Sequence, residues 1–382
     1  MASNSQPHIM ILAGETSGDA HAAAVVSEIK KIQPDILFTG MGGHEMQKAG
    51  VEIFFDSARI AVMGLFEVLK HWGDIKQAMR LIKLKLETTR PDLLILVDYP
   101  EFNLKMAKHA KSLGIKVLFY ISPKVWASRP KRIHKIGQSI DHMAVIFKFE
   151  TDIYQQANIP VTFVGNPLVD KVNISDQAEL IHQNLQHNKN GRIIGLFPGS
   201  RKSELSRLLP VMLETAELML KQDPDLNFVL PVAINLDLQA IQQQCEHVDI
   251  DITFTQDNLY DVINSCDAIV SCSGTVTLEI GLLNVPMCVV YKLSWLSYQI
   301  LSRIITIDQI SLVNIIAREQ VVVELLQDAA SAKSISQELF KLIDDTQYRQ
   351  QVLQGLQKVK NNMGQGEGSK RMAELVLSFI QK

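Results

Sequence analysis

The sequence predicts an α/β protein built from two Rossmann-like domains that face a cleft. Short, almost continuous apolar runs alternate with longer stretches of helical periodicity, which is the pattern of a parallel sheet covered by helices on both faces. The alternation pauses at the Gly-Asn-Pro turn of residues 165–167 and then restarts, so the pattern occurs twice. Three glycines precede the last predicted helix, at 369–381, and we expect that helix to cross back to another domain or protomer.

The first series supplies the strands of an N-terminal domain, assigned to residues 1–170. The first strand leads into a helix at 17–32 whose apolar residues recur at helical spacing. The predicted strands lie at 8–14, 36–40, 93–98, 115–122, 142–147 and 161–165. We expect the tail at 360–382 to pack on this domain or on a partner.

The second series belongs to a C-terminal domain, assigned to residues 171–359. Its first strand is followed by a helix at 203–220, which we expect Pro210 to interrupt. The predicted strands lie at 192–200, 227–232, 252–255, 268–272 and 286–291.

The composition is that of a globular protein with more than one core. The 382 residues are 47% hydrophobic and 21% charged, and a chain of this length exceeds what one hydrophobic core usually serves. A net charge of −3 argues against a nucleic-acid binder. Four cysteines without a CxxC pair fit a reducing compartment, and the sequence has neither a secretory signal nor an apolar run of about 20 residues. We therefore expect a cytosolic protein.

Ligands of open α/β sheets bind outside the carboxyl ends of the strands, and the first loop of this kind is LAGETSGDAH at 12–21. The free N–H groups of the helix that follows can receive an anion or a sugar hydroxyl. Thr16 or Ser17 is the expected cap, with Asp19 in a loose capping box; a helix that is merely well capped is the alternative. Neither this loop nor the segment at 40–46 has the GxGxxG spacing of a dehydrogenase.

The second loop of this kind is LFPGSRKSELSR at 196–207. Arg201 stands at its helix start, and the planar guanidinium suits phosphate oxygens. It would compensate the negative charge that grows on a diphosphate leaving group. A solvated surface arginine is the alternative. The loop lacks the Walker A spacing.

The third loop, SCSGTVTLEIGLLNVP at 271–286, again joins a strand to a helix, here beginning near Thr275. Glu279 falls about one turn into the helix, where its carboxylate can accept hydrogen bonds from both hydroxyls of a ribose. The alternative is an acid that is simply favoured by the helix dipole.

Two further patterns concern metals and membranes. The Asp-x-Asp segments at 223–225 and 249–251 fit turns better than a magnesium site, and the histidines lack metal-ligand spacing, so we predict no metal. The helix predicted at 61–84 is amphipathic and suits an interfacial helix resting on lipid, with a core-facing helix as the alternative. Its predicted membrane patch consists of Leu65, Phe66, Leu69 and Trp72.

Taken in order, these segments resemble lipid-A-disaccharide synthase, a glycosyltransferase family of the GT-B architecture. The matching segments are LAGETSGD, GMGG, VMGLFEVL, VDYPEFN, YISPKVWASR, VGNPL, LFPGSRKSE, SGTVTLE and SLVNIIA. They run nearly end to end, and VDYPEFN followed by SPKVWA and PGSR is specific in order and spacing. The chain departs at Ser128, where many members carry Trp, and at Val313 and Val323, where Pro is common.

The resemblance implies an inverting transfer of 2,3-diacylglucosamine from UDP-2,3-diacylglucosamine to the 6-hydroxyl of 2,3-diacylglucosamine 1-phosphate. The products would be a β-linked disaccharide 1-phosphate and UDP, formed without metal or cofactor. The expected partners are these two lipids and a membrane surface at the cytoplasmic side of the inner membrane, with no nucleic acid. A homodimer is also expected.

The resemblance also implies roles for individual residues. Asp98 would act as the general base, with Glu101 as its rival, and Arg201 would assist catalysis. The expected UDP contacts are Gly199, Ser200, Arg201, Ser273, Gly274, Thr275, Glu279 and Asn314. The expected acceptor-side residues are Gly14, Glu15, Ser17, Gly18, Asp19 and Asn103. The N-terminal domain would thus bind the acceptor and face the membrane, and the C-terminal domain would bind the UDP-sugar.

Two other classes of function fit the same loops. One is another enzyme acting on a UDP-sugar, either a glycosyltransferase with a soluble acceptor or a UDP-sugar epimerase. The other is a UDP-sugar binding module without catalytic activity. An acid at the end of a buried strand argues against the binding module, because a carboxylate there serves chemistry better than packing.

Overall fold

The computed structural model describes residues 6–60, 72–127, 130–188, 191–293 and 309–380. The chain divides into two compact units. The first unit comprises residues 1–167 together with 364–382, and the second comprises 168–363. Each unit contains one parallel sheet with helices around it, so the predicted α/β class with two Rossmann-like domains is confirmed.

The sheet of the first unit contains seven parallel strands. They are β1 His8–Ala13, β2 Leu37–Gly42, β3 Glu52–Asp56, β4 Leu93–Val97, β5 Lys116–Tyr120, β6 His142–Val145 and β7 Val161–Phe163. Their order is β3-β2-β1-β4-β5-β6-β7. The chain therefore winds outwards in one direction from β1 and in the other direction from β4, which makes the β1–β4 pair the topological switch point of this sheet. The pattern did not predict β3.

The helices of this unit cover both faces of the sheet. Up to residue 167 the described helices are α1 Thr16–Ile32, α2 His44–Lys48, α3 Trp72–Thr89, α4 Pro100–Ser112, α5 Arg132–Gly137 and α6 Lys148–Gln156. One apolar cluster includes residues of α3 and α4, among them Ile82 and Met106, and a second cluster includes Val26 of α1. Because β1 and β4 are buried on both faces, their sequences read as nearly continuous apolar runs.

The sheet of the second unit contains six parallel strands. They are β8 Ile193–Phe197, β9 Asn227–Pro231, β10 Ile252–Thr255, β11 Ala268–Cys272, β12 Met287–Tyr291 and β13 Glu324–Leu326. Their order is β10-β9-β8-β11-β12-β13, and the switch point lies between β8 and β11. The described helices are α7 Leu168–Lys171, α8 Ala178–Leu185, α9 Lys202–Leu220, α10 Leu238–Cys245, α11 Leu259–Ser265, α12 Val276–Leu282, α13 Leu312–Ala317, α14 Ala332–Asp344 and α15 Thr346–Met363.

Helix α9 runs without a break through Pro210, so the predicted interruption is wrong. A proline inside a helix costs about 3 kcal/mol or more, because it removes one hydrogen bond and crowds the preceding turn. The residues on both sides of Pro210 offset this cost, since Leu208, Leu209, Val211 and Met212 are all buried.

The last helix, α16 at Gly368–Ile380, belongs to the first unit of the same chain. Its buried residues Met372 and Val376 join the apolar cluster that contains Val26 of α1. Nε of Arg371 also donates to the carbonyl of Val164 at 2.8 Å. The predicted crossing back therefore occurs within the chain. None of the helices in the described part of the chain combines the length and the apolar character that crossing a bilayer requires.

Candidate active site

Two of the predicted site loops leave the first sheet side by side. In the ladder between β1 and β4, Ala13 is paired with Val97, and each of them is the last residue of its strand. Gly14 and Asp98 therefore follow neighbouring strand ends, at the switch point where open α/β sheets bind their ligands. The sheet alone thus brings the predicted base next to the predicted acceptor loop.

The backbone turns sharply at Asp98. Its N–H still donates to the carbonyl of Tyr120 on β5 at 2.9 Å, which continues the ladder by one residue. Asp98 and Tyr99 then both adopt left-handed conformations, with φ of 48° and 47°, and α4 begins at Pro100. Left-handed backbone at a residue other than glycine costs on the order of 1–3 kcal/mol. The turn that carries the carboxylate is therefore strained at two successive residues.

The Asp98 carboxyl is half-buried, and burial raises its pKa above the ordinary value. Two weaker influences oppose that rise: the backbone N–H of Tyr99, which donates to the carboxylate, and the positive charge of Lys124. A carboxylate of raised pKa binds a proton more readily than an ordinary one. The position and the chemistry both suit a general base.

A second carboxyl lies near Asp98. Glu15 is half-buried at the start of α1, and its pKa is raised first by burial and then by the charge of Asp98. The rival base Glu101 stands in a different environment, because its side chain is 74% exposed and forms an ion pair with Arg132 at 2.8 Å. The geometry therefore favours Asp98 over Glu101.

The capping of α1, in the loop from Gly14 to Asp19, differs from the prediction. α1 begins at Thr16, and Glu15 occupies the N-cap position without a side-chain cap hydrogen bond. Asp19 is buried and accepts hydrogen bonds from the N–H groups of three residues at the start of α2. The donors are Gly43 at 2.7 Å, Glu45 at 3.0 Å and Met46 at 3.2 Å. The predicted capping box is wrong, because these donors occupy the Asp19 carboxylate.

The remaining acceptor-side residues lie close to this corner of the sheet but differ in exposure. Ser17 is exposed at the first turn of α1, whereas Gly18 is buried beside Ala13 and Val97. Asn103, one turn into α4, is completely buried. Its amide nitrogen faces main-chain carbonyls, the nearest being that of Asp98 at 2.7 Å.

The second sheet repeats the arrangement at its own switch point. Phe197 of β8 is paired with Ser271 of β11, so the loops that follow the two strands leave the sheet as neighbours. These are the predicted nucleotide loops, which contain Gly199 and Gly274. Among the described residues, no atom would lie within 4 Å of a Cβ on Gly274.

Arg201 lies at the N-cap of α9 and its side chain is 67% exposed. Nη1 forms an ion pair with Oε1 of Glu204 at 3.1 Å, while Oε2 accepts from the backbone N–H of Arg201 at 3.2 Å. Gly199 has φ of 108°, and a Cβ there would stand 3.0 Å from Cβ of Glu204. Glycine at 199 thus lets the loop close over Glu204, next to Ser200, which is exposed. The ion pair with Glu204 holds the guanidinium only weakly, because it is exposed to solvent.

The third loop surrounds Glu279 on α12. Burial raises the pKa of the Glu279 carboxyl, against the positive charge of Lys171 and a hydrogen bond from Tyr260. The Tyr260 hydroxyl donates to Oε1 at 3.4 Å. Ser273 donates to the carbonyl of Ile310 at 3.3 Å, and the neighbouring Thr275 is exposed. The carboxylate keeps one oxygen without a hydrogen bond to these residues.

Asn314 is completely buried and its amide is fully used inside the second unit. Nδ2 donates to the carbonyl of Val322 at 2.9 Å and to Oε1 of Glu324 at 2.7 Å, while Oδ1 accepts from the N–H groups of Val321 and Val322 at 2.8 and 3.0 Å. In this structure Asn314 ties α13 to the segment that leads into β13. A direct contact to UDP stays a prediction.

Two residues close to Asp98, Lys124 and Tyr99, and the buried acid Glu150 were missed by the sequence reasoning. Lys124 follows β5, the strand next to β4, and its place after a strand end was a usable signal. Tyr99 gave no signal, since its role depends on backbone strain. Glu150 gave none either: it is 2% exposed and accepts from Nε1 of Trp126 at 3.2 Å, and burial raises its pKa to about 7.

The membrane patch lies mostly outside the described residues, since Leu65, Phe66 and Leu69 fall between 61 and 71. Trp72, at the start of α3, is 46% exposed, and Nζ of Lys76 stands 5.5 Å from its ring centroid. Among the described residues, no group of three or more His, Cys, Asp or Glu side chains is arranged to hold a metal ion.

Comparison with known proteins finds relatives that match nearly the whole chain. The family model for Lipid-A-disaccharide synthetase matches residues 9–378. Lipid-A-disaccharide synthase of Geobacter sulfurreducens is 44% identical over 382 residues, which is all of both chains. Lipid-A-disaccharide synthase of Nitrosococcus oceani is 46% identical over 378 residues, which is 99% of this chain and 97% of that protein.

The fold is shared more widely. The crystal structure of a UDP-N-acetylglucosamine 2-epimerase superposes with a TM-score of 0.65 at 14% identity, covering 99% of this chain and 98% of that chain. Identity this low supports the fold alone. The architecture is of the GT-B type.

Proposed function

The chain belongs to the lipid-A-disaccharide synthase family and is a glycosyltransferase of lipid A biosynthesis, and on that premise we propose that Asp98 is the general base of its transfer reaction. The observation that carries this proposal is the position of Asp98: a carboxylate of raised pKa, directly after a central strand, at the switch point of its sheet. That is where an open α/β sheet binds its ligands.

We propose UDP-2,3-diacylglucosamine as the donor and 2,3-diacylglucosamine 1-phosphate as the acceptor. Asp98 takes the proton of the acceptor's 6-hydroxyl while that oxygen attacks the anomeric carbon of the donor. The new bond joins the oxygen to this carbon, and the bond from the carbon to the diphosphate breaks. Attack from the face opposite the leaving group inverts an α-linked donor to a β-linked product, and UDP departs with the bonding electrons.

The nucleotide is assigned to the loops of the second unit. Arg201 is exposed at the start of α9, and its guanidinium donors suit the oxygens of a diphosphate. Glu279 keeps a carboxylate oxygen that can accept from a ribose hydroxyl. Positive charge near the diphosphate stabilises the leaving group as its bond breaks.

The test is turnover by Asp98→Asn, measured as UDP release from the two lipid substrates. A positioned base contributes about 10²–10⁴-fold, so we expect a loss of that size. UDP binding, measured by calorimetry on the same protein, should remain normal. Glu101→Gln is the matched control, because it removes the neighbouring carboxylate, and it should keep most of the activity. Normal turnover by Asp98→Asn would remove the base assignment.

We also propose that the start of α3 rests on an anionic membrane surface at the cytoplasmic side of the inner membrane. An indole that is 46% exposed, with Lys76 beside it and Arg80 one turn further, has the composition of an interfacial helix. Trp72→Ser should reduce sedimentation with anionic vesicles. Leu180→Ser removes a side chain that is 57% exposed in the second unit, and it should leave sedimentation unchanged. Equal behaviour of the two variants would contradict the membrane assignment.

The predicted homodimer is part of the same proposal. Sedimentation equilibrium of the purified chain would give its mass, and a monomer at assay concentration would contradict this prediction.

A further inference from the structure

The turn that presents Asp98 has one local hydrogen bond, from the N–H of Tyr99 to the Asp98 carboxylate. Asp98 and Tyr99 are both left-handed, and neither is a glycine. Aspartate tolerates this conformation because its short side chain can bond locally, but tyrosine does not share that advantage. The N-cap position of α4, which is Tyr99, also lacks a side-chain hydrogen bond. Contacts from elsewhere must therefore hold the turn.

One buried side chain, that of Asn103, supplies several of those contacts. The amide nitrogen of Asn103 faces three carbonyl oxygens: that of Asp98 at 2.7 Å, that of Val97 at 3.2 Å and that of Leu12 at 3.4 Å. Two of these carbonyls belong to the end of β4 and the start of the turn, and the third belongs to β1. One side chain thus connects the turn to both strands of the switch point.

The environment of Asn103 fixes which end of its amide faces the turn. The residue is completely buried, and its Oδ1 has no hydrogen-bond partner among the described residues. Three carbonyls around the other end require the donor nitrogen there. A buried amide oxygen without a hydrogen bond is unfavourable. The hydrogen bonds that hold the Asn103 side chain are therefore those of its nitrogen.

Two further contacts act on Tyr99 and not on Asp98. The Tyr99 hydroxyl donates to the carbonyl of Ile60 at 3.1 Å, and the N–H of Asn103 donates to the carbonyl of Tyr99 at 3.1 Å. The first contact fixes the position of the Tyr99 hydroxyl. The second is an ordinary backbone hydrogen bond of the first turn of α4. The carbonyl of Asp98 accepts instead from the side chain of Asn103.

We infer that Asn103 is a positioning residue for Asp98, holding the left-handed turn at residues 98 and 99 so that the carboxylate keeps one orientation. This inference rests on the proposed function, since it gives Asn103 a role through the base. It gives Asn103 a role through the main chain, at which its buried amide is directed, while a contact of Asn103 with the acceptor stays a prediction.

The experiment is a double-mutant cycle on the full-length protein with Asn103→Ala and Tyr99→Gly. Glycine adopts the left-handed conformation without steric cost, so it removes part of the strain that Asn103 offsets. We expect Asn103→Ala to lower kcat by about 10²-fold, the loss that a displacement of about 1 Å can cause, with KM for the donor within about twofold. In the Tyr99→Gly background the same substitution should lower kcat by much less.

Asn227→Ala is the matched control for loss of a buried asparagine. Asn227 is 3% exposed and donates to the carbonyls of Asn188 and Gly191 in the second unit, away from the turn. Its variant should lose thermal stability while keeping kcat. If Asn103→Ala does not fold, Asn103→Ser, which keeps one donor in a smaller side chain, is measured in the same cycle.

The outcomes distinguish a failure of the positioning role of Asn103 from a failure of the base assignment of Asp98. A normal kcat for the folded Asn103 variant, or an equal loss in both Tyr99 backgrounds, would overturn the positioning role. If Asp98→Asn is inactive at the same time, only the positioning role fails. If Asp98→Asn keeps full turnover, the base assignment fails first, whatever the Asn103 variants do.

Discussion

The ring of Tyr99 occupies the space that a side chain at Gly14 would need. A Cβ built on Gly14 would collide with this ring, lying 2.8 Å even from Cε1, which is closer than real Cβ contacts. The glycine of the first loop and the strained turn after β4 therefore depend on one another. Close backbone approach, rather than a left-handed conformation, is the reason for glycine at this position.

Gly14→Ala should displace Tyr99 and with it the turn of Asp98. Overpacking of this kind typically costs about 1–3 kcal/mol, and kcat should fall because the base moves. The measurement is kcat together with urea unfolding of the same preparation. Gly73→Ala is the control, since Gly73 lies in α3 and a Cβ there meets no atom of the described part of the chain within 4 Å. A Gly14→Ala protein with the kcat of the control would show that the ring can move without consequence.

Lys124→Met should shift the acid limb of the kcat/KM profile to higher pH. The positive charge of Lys124 favours the ionised form of Asp98 and so lowers its pKa. Without that charge the pKa rises further, and the base becomes protonated at a pH where the native protein is still active. Lys108→Met, at an exposed position of α4, is the charge-matched control and should leave the profile in place. A shift towards lower pH would contradict the assignment of this limb to Asp98.

Arg201→Ala should weaken UDP binding by about 10- to 150-fold, since hydrogen bonds to charged groups contribute about 1.5–3 kcal/mol. Arg201→Lys should recover only part of this loss, because an ammonium cannot form the paired contacts of a guanidinium. Calorimetric titration with UDP is the measurement. Lys221→Ala removes a positive charge just after the other end of α9 and should bind UDP as the native protein does. Unchanged affinity in Arg201→Ala would place the diphosphate elsewhere.

Glu150 should make the stability of the first unit depend on pH. Burial raises its pKa from the ordinary 4.5 to about 7, so the folded state holds a proton that the unfolded state releases within this window. The contribution is fully present below 4.5 and is lost as the pH rises to about 7. The free energy of unfolding should therefore fall by about 2–3 kcal/mol between about pH 5 and about pH 8.

Glu150→Gln tests this dependence, because glutamine keeps the size and the acceptor but does not titrate. Urea unfolding followed by tryptophan fluorescence reports on the site, since Trp126 donates to Oε1 of Glu150. The variant should lose that part of the pH dependence. An identical pH dependence in both proteins would mean that the Glu150 carboxyl is not held protonated in the folded state.

Much of the architecture could be predicted because strand and loop positions are local properties. The strands expected at 8–14 and 93–98 appear at His8–Ala13 and Leu93–Val97, and the helix expected at 203–220 begins only one residue earlier. Buried parallel strands are apolar on both faces, so they stand out in the sequence. β3 and β13 were missed because each is short, only partly buried and at a sheet edge.

The candidate site was harder to predict from the sequence, because the hydrogen bonds of a polar side chain depend on the groups that surround it in the fold. Asp19, Asn103 and Asn314 all lie in segments typical of a ligand site, yet in the structure each of them forms hydrogen bonds with backbone groups. The donors to Asp19 are 24 to 27 residues away in the chain. No periodicity links residues at that separation, so only folding reveals the contact.

The sequence by itself determined that Asp98 ends a buried strand and that glycine loops follow three other strands, since these are matters of local pattern. The tertiary structure decided which strands are neighbours, and hence that Gly14 and Asp98 share one corner of a sheet. It also decided that Glu101 faces solvent while Asp98 is half-buried, although three residues separate them. The physical reason is that burial and hydrogen bonding depend on contacts between distant segments, and those contacts set both the acidity and the orientation of a carboxylate.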